Sequence, residues 1–133
     1  MNKRIKKKKG IYTKFKDKET WDLGYTVAAF TLPRLKRYKK LNNGVPGAVL
    51  FQVNEENIHF NNDEERLNNA KEKWDAVLDR IIWSFEQIVN PTEEPELEKG
   101  ENWKDYRIRY DAYSKKVQDG INLFAKHFQD LWW

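Results

Sequence analysis

The sequence predicts an all-α protein, an antiparallel three-helix bundle with a basic N-terminal arm. Three observations predict it. Apolar and aromatic residues recur every three or four positions in three separate segments, the spacing of one buried helix face. Each segment is bounded by residues that cap helices and by turns containing proline or glycine. The chain has 133 residues, 39% of them hydrophobic and 14% aromatic, which suits one domain with its own core and excludes an aromatic-poor disordered chain.

Residues 1–16 form the arm. Lys3, Arg4, Lys6, Lys7, Lys8, Lys9, Lys14 and Lys16 are interleaved with Ile5, Ile11, Tyr12 and Phe15. Such a run of like charges repels itself and favours an extended, solvated chain. Residues 17–133 are expected to make a single helical domain.

The first helix is expected over about 20–41, opened by Asp17 or Thr20, either of which can cap free backbone N–H groups. Glu19 and Asp22 then set negative charge at the positive end of the helix dipole. Its inward stripe is Trp21, Tyr25, Ala28, Leu32, Leu35 and Tyr38, widened by Leu23, Val27 and Phe30. Pro33 removes a backbone donor and crowds the preceding turn, so a kink near Ala29 is expected. Asn43-Gly44 and Pro46-Gly47 stop the helix.

Between 45 and 62, the run Val49–Val53 and the later Ile58-His59-Phe60 allow a small β-hairpin that packs on the helices. A second helix is expected from Asp63 to Val89, capped by Asn62 or Asp63 and ended by Asn90-Pro91. Its apolar face is wide, running from Leu67 through Trp74, Leu78, Ile81 and Phe85 to Val89. The acidic stretch 91–101 reads as an exposed, mobile loop. The third helix is expected over about 102–131, with Trp103, Tyr106, Tyr110, Tyr113, Val117, Ile121, Phe124, Phe128 and Leu131 along one face. Gly120 lies on that stripe. There it costs roughly 1 kcal/mol relative to Ala, which the close approach of a neighbouring helix can offset.

The net charge of +4 conceals an asymmetry. Residues 1–40 carry fourteen Lys/Arg against three Asp/Glu, and residues 41–133 carry eleven against eighteen. There is no cysteine, hence no disulfide, thiol nucleophile or cysteine metal site. No apolar run is long enough to span a membrane, and no apolar segment follows the basic start to make a secretory signal.

No constellation for catalysis stands out. His59 and His127 are far apart and lack the i, i+4 spacing of a metal pair. Asp22, Asp79, Glu86 and Asp111 sit beside apolar stripes, where a carboxylate ordinarily pairs with a cation such as Arg34 or Arg107. Phosphate-binding loops, nucleophile elbows and helical zinc motifs are all missing from the sequence. The expectation is a protein that is not an enzyme and uses no metal or cofactor.

Binding is legible instead. Tyr12, Phe15, Arg34, Arg37, Lys40 and Trp133 make an aromatic-and-basic set suited to a protein partner, with Trp favoured as an anchor. The alternative is nucleic acid, with the arm lysines and Arg4 neutralising phosphates while Tyr12 and Phe15 stack on bases. A third reading is a sponge for small anionic signalling nucleotides, held in a pocket formed by Arg34 and Arg107 or at an oligomer interface.

The string Trp21-Asp22-Leu23-Gly24-Tyr25-Thr26, then Leu32-Pro33-Arg34-Leu35-Lys36 and Asn43-Gly44-Val45-Pro46, resembles a family of small proteins of tailed bacteriophages. Trp74, Ile81-Ile82-Trp83-Ser84-Phe85-Glu86, Gly120 through Phe128, and Leu131-Trp132 extend the resemblance over about residues 20–133. Against that pattern, residues 48–62 look like an insertion. The resemblance implies the cytoplasm of an infected bacterium. By analogy it also implies a binding role toward a host or phage macromolecule, such as a host defence system.

Overall fold

The computed structural model describes residues 14–55 and 62–132. Lys3 to Lys9, Tyr12, His59, the return arm of the expected hairpin and Trp133 lie outside the described residues. The described chain is all-α, with no strand. Its helices are α1 (Leu23–Leu41), α2 (Gly47–Glu55), α3 (Asp63–Val89) and α4 (Trp103–His127). Single 3-10 turns at Asp17–Thr20 and Phe128–Asp130 flank them.

Short polar side chains decide where the long helices begin. Asp22 Oδ1 accepts from Tyr25 N at 3.1 Å, Asn62 Oδ1 from Glu65 N at 2.8 Å, and Asn102 Oδ1 from Asp105 N at 2.9 Å. Each satisfies a backbone donor that has no partner within its helix. The cap of α1 is therefore Asp22. Asp17 and Thr20, the expected caps, bound the preceding 3-10 turn, where Thr20 Oγ1 donates to Asp17 O at 2.7 Å.

The central element is α3. α1 runs antiparallel along it, with Lys36 Nζ 2.9 Å from Glu86 Oε1 and Lys39 Nζ 2.5 Å from Asp79 Oδ1. α4 runs antiparallel along another side, with Tyr113 on Gln87, Gly120 against Ser84 and the His127 ring on that of Trp74. The backbones of α1 and α4 do not approach one another closely, so the core is assembled on α3. Ala28, Leu35, Ile81, Ile82 and Phe85 are its buried centre, with Leu32, Ile121 and Phe124 packed around them.

The first half of α3 is covered differently. Ala70, Trp74 and Leu78 are buried against Val49 and Val53 of α2. The sequence allows a hairpin here, and the structure has a helix instead, for a reason the periodicity of burial gives. A strand would put residues 49, 51 and 53 on one face. Instead Val49 and Val53 are buried, one helical turn apart, while Phe51 between them is 69% exposed. Short apolar runs do not distinguish the two periods. Here the face of Trp74 selects the helical one.

The acidic stretch 91–101 is exposed yet held at both ends. Gln87, buried in the last turns of α3, accepts from Glu93 N at 3.0 Å and donates to Thr92 Oγ1 at 3.1 Å. Further along, Arg109 is bidentate to Glu101, at 2.7 and 2.9 Å, and donates to Glu96 O at 2.8 Å. Gly100 turns the chain into α4 with φ +82°, a left-handed conformation that glycine adopts without a steric penalty.

Candidate interaction surface

Two faces of α1 are apolar, and α3 covers only one. Ala28, Leu32 and Leu35 meet the core. Leu23, Val27 and Phe30, which the sequence adds to the same inward stripe, lie instead on the outward side, with Phe30 53% exposed. Trp21 and Tyr25, also expected inside, are exposed as well, Trp21 by 84%. The register gives the reason. With Lys36 level with Glu86 in an antiparallel pair, the first turn of α1 passes beyond Val89, where α3 ends. Apart from the 3-10 turn that precedes it, where Glu19 O accepts from Thr26 Oγ1 at 2.8 Å, no described element packs there.

The outward face continues in charge. Arg34 stacks on Phe30, its guanidinium carbon 3.7 Å from the ring centroid, and Nη1 donates to Phe30 O at 2.7 Å. Arg37 and Lys40 are exposed and have no ion-pair or hydrogen-bond partner among the described residues. Lys36 and Lys39, by contrast, are engaged with Glu86 and Asp79. Of the residues expected to meet a partner, the fold thus collects Arg34, Arg37 and Lys40 along the outer side of α1. Phe15, Lys14 and Lys16 are exposed on the segment that leads into it. Tyr12, Trp133 and the remaining arm cations lie outside the described residues.

Other expected chemistry is distributed. Asp22 caps α1, Glu86 and Asp79 pair with lysines rather than arginines, and Asp111 lies 3.8 Å from Arg107 on its own helix. Asp22, Arg34 and Glu86 therefore share no network. Arg34 and Arg107, proposed as a joint anion site, are each engaged within their own helix. His127 is buried. Its Nδ1 is 3.3 Å from Asp130 Oδ2, and its ring lies edge-on to Trp74 at 5.2 Å. No cluster of three or more His, Asp or Glu suited to a metal occurs among the described residues. No described helix is long and apolar enough to cross a membrane.

At the end of α1, a recess of about 570 Å³ opens between Tyr38, Leu41, Val45, Pro46 and Trp132. Tyr38, in its lining, donates its hydroxyl to Trp132 O at 3.3 Å. Burial raises the Tyr38 phenol above its ordinary value, opposed by the neighbouring Trp74 indole and helped by the Asp130 charge. The Trp132 side chain is itself 75% exposed at the rim.

A second aromatic surface lies at the start of α4. Trp103, Tyr106, Tyr110, Tyr113 and Trp83 form a ladder with ring centroids 5.8 to 6.3 Å apart. Trp103, expected in the buried stripe, is 71% exposed, because α4 also starts beyond the end of α3. Glu93 accepts from the Trp83 indole N–H. The Glu94 charge, with some burial, raises the Tyr110 phenol, while burial first and Glu94 second raise Tyr113.

No family model matches the chain, and no curated protein or solved structure is significantly similar to it.

The outward stripe carried a signal in the sequence. Positions 23, 27, 30, 34, 37 and 41 alternate steps of four and three, a heptad register distinct from that of the buried residues. The two registers overlap in α1, and the sequence does not rank them.

Proposed function

We propose that this chain is a non-catalytic binding protein of a bacteriophage, acting in the cytoplasm of the infected cell on a host or phage macromolecule, with a host defence component as the target class. One observation carries the reading: α1 directs Arg34, Arg37 and Lys40 outward beside exposed Leu23, Val27 and Phe30, on the side away from its own core. Exposed apolar side chains gathered with unpaired cations are a feature of recognition surfaces. Such a protein acts by occlusion and requires no cofactor. The architecture inferred for the role is a three-helix antiparallel core of α1, α3 and α4, with α1 kinked near Ala29 by Pro33.

Nucleic acid is the second reading, favoured by the exposure of Lys14 and Lys16 where the basic arm joins the fold. One experiment separates the two. The tagged full-length chain is used to capture partners from a bacterial lysate, with and without nuclease, at about 50 and 200 mM salt. A protein retained through nuclease and the higher salt, and lost with R34E/R37E, supports the leading reading. Nucleic acid alone, released by salt, replaces it with the second.

A further inference from the structure

We propose that the outward face of α1 receives one α-helix of a protein partner, amphipathic and acidic, laid along Leu23, Val27, Phe30, Arg34, Arg37 and Leu41. This rests on the binding role proposed above and adds the chemistry of the partner.

Spacing argues for a helix. Six positions alternating by four and three keep one seam pointing at one neighbour, the geometry by which two helices pack along their length. From Leu23 to Leu41 the seam is about 27 Å long at 1.5 Å per residue, five turns of an occupant. All six residues are exposed.

Charge argues for acid. The half of the seam near the N-terminus is apolar, and the other half holds Arg34 and Arg37, neither of which has a carboxylate partner among the described residues. A helix covering Val27 and Phe30 also takes these guanidinium groups partly out of water. An occupant without carboxylates opposite them leaves buried charge uncompensated, at a cost that the apolar contact does not repay. Arg34 is already oriented, stacked on Phe30 and tethered to its carbonyl through Nη1 alone, so its other N–H groups keep no partner among the described residues and are left for a carboxylate. Leu41 belongs to both the seam and the recess under Trp132, so the groove ends in space for a bulky apolar side chain from the occupant.

Other occupants fit less well. Nucleic acid would use the arginines but has no counterpart for Leu23 and Val27. A second copy docking α1 antiparallel on α1 would set Arg34 and Arg37 opposite Phe30 and Val27, again with no carboxylate.

The test uses two labelled synthetic peptides of three heptads, with leucine at a and d and either glutamate or lysine at e and g. Anisotropy titration against the full-length chain should favour the glutamate peptide by about tenfold. R34E/R37E should reverse that preference with an unchanged circular dichroism spectrum, and V27E should weaken both peptides. Equal binding of the two peptides, or a preference unmoved by R34E/R37E, overturns the proposal. So does a dimer of the chain that F30E dissociates, or a duplex oligonucleotide that binds more tightly through the same arginines. Lysate capture separates the two levels. A protein partner lost with R34E/R37E while neither peptide is preferred leaves the binding role standing and refutes the acidic helix. Failure of both refutes both.

Discussion

Gly120 of α4 lies against Ser84 of α3 so closely that a β-carbon at Gly120 would stand 1.8 Å from the Ser84 hydroxyl oxygen and 2.8 Å from the Arg80 carbonyl oxygen. The first atom belongs to a side chain, but the second is backbone, so the helices themselves must part. Gly120→Ala should therefore destabilise the protein by about 1–3 kcal/mol through overpacking, although Ala is the better helix former by roughly 1 kcal/mol. Urea denaturation measures the difference, and a variant as stable as the parent would refute the close crossing. Adding Ser84→Gly should recover part of the loss, because the Arg80 carbonyl remains.

Trp74 is fully buried and joins α2, α3 and the His127 ring in one cluster. Trp74→Ala should cost about 3–5 kcal/mol, and Trp74→Phe clearly less. The readout is the denaturation midpoint, with loss of near-ultraviolet dichroism in the alanine variant.

The helix at 47–55 gives a paired prediction. Val53→Ala should cost at least about 1.5 kcal/mol, since two buried carbons are lost. Phe51→Ser should change stability by no more than about 0.5 kcal/mol, because the ring is in solvent. A strand would make both substitutions costly, so thermal melts of the two variants decide between the periods.

Gln87 organises the start of the acidic stretch. Its side chain also accepts from the Tyr113 hydroxyl at 2.9 Å. Gln87→Ala leaves Tyr113, Thr92 and the Glu93 N–H without this partner and should cost about 1–3 kcal/mol. Amide exchange at residues 92–94 should quicken in this variant ahead of exchange in the core.

The Glu101–Arg109 clamp makes the other end of that stretch sensitive to acid. Arg109 lowers the Glu101 pKa below its ordinary 4.5, chiefly by hydrogen bonding. A carboxyl group acidified by folding stabilises the fold above its unfolded pKa. That contribution fades as pH falls through the lowered value, while Arg109 stays charged. Amide protection over 96–105, measured relative to the intrinsic exchange rate at each pH, should therefore fall below about pH 4.5 in the parent. In E101Q protection should be low already and unchanged over the same range; a parental profile in E101Q would refute the clamp.

The sequence by itself determined the three long helices and most of their punctuation. The stripe over Asp63–Val89 is long and periodic, and Asn62 and Asn102 carry their cap signals in the residues themselves. Gly120 announced a close neighbour for the same reason, because a glycine on a buried helical face is costly without one. Local chemistry sufficed in these cases. Tertiary structure decided what local chemistry left degenerate. Val49 to Val53 is too short a run to fix its own period, and Trp74 imposed the helical one. α1 carries two apolar registers, and the end of α3 at Val89 settled which was covered. Trp21, Tyr25 and Trp103 obey the helical stripe yet lie in solvent, because periodicity reports the face of a helix and not the length of its neighbour. Burial is a relation between two elements, and a single sequence states only one side of it.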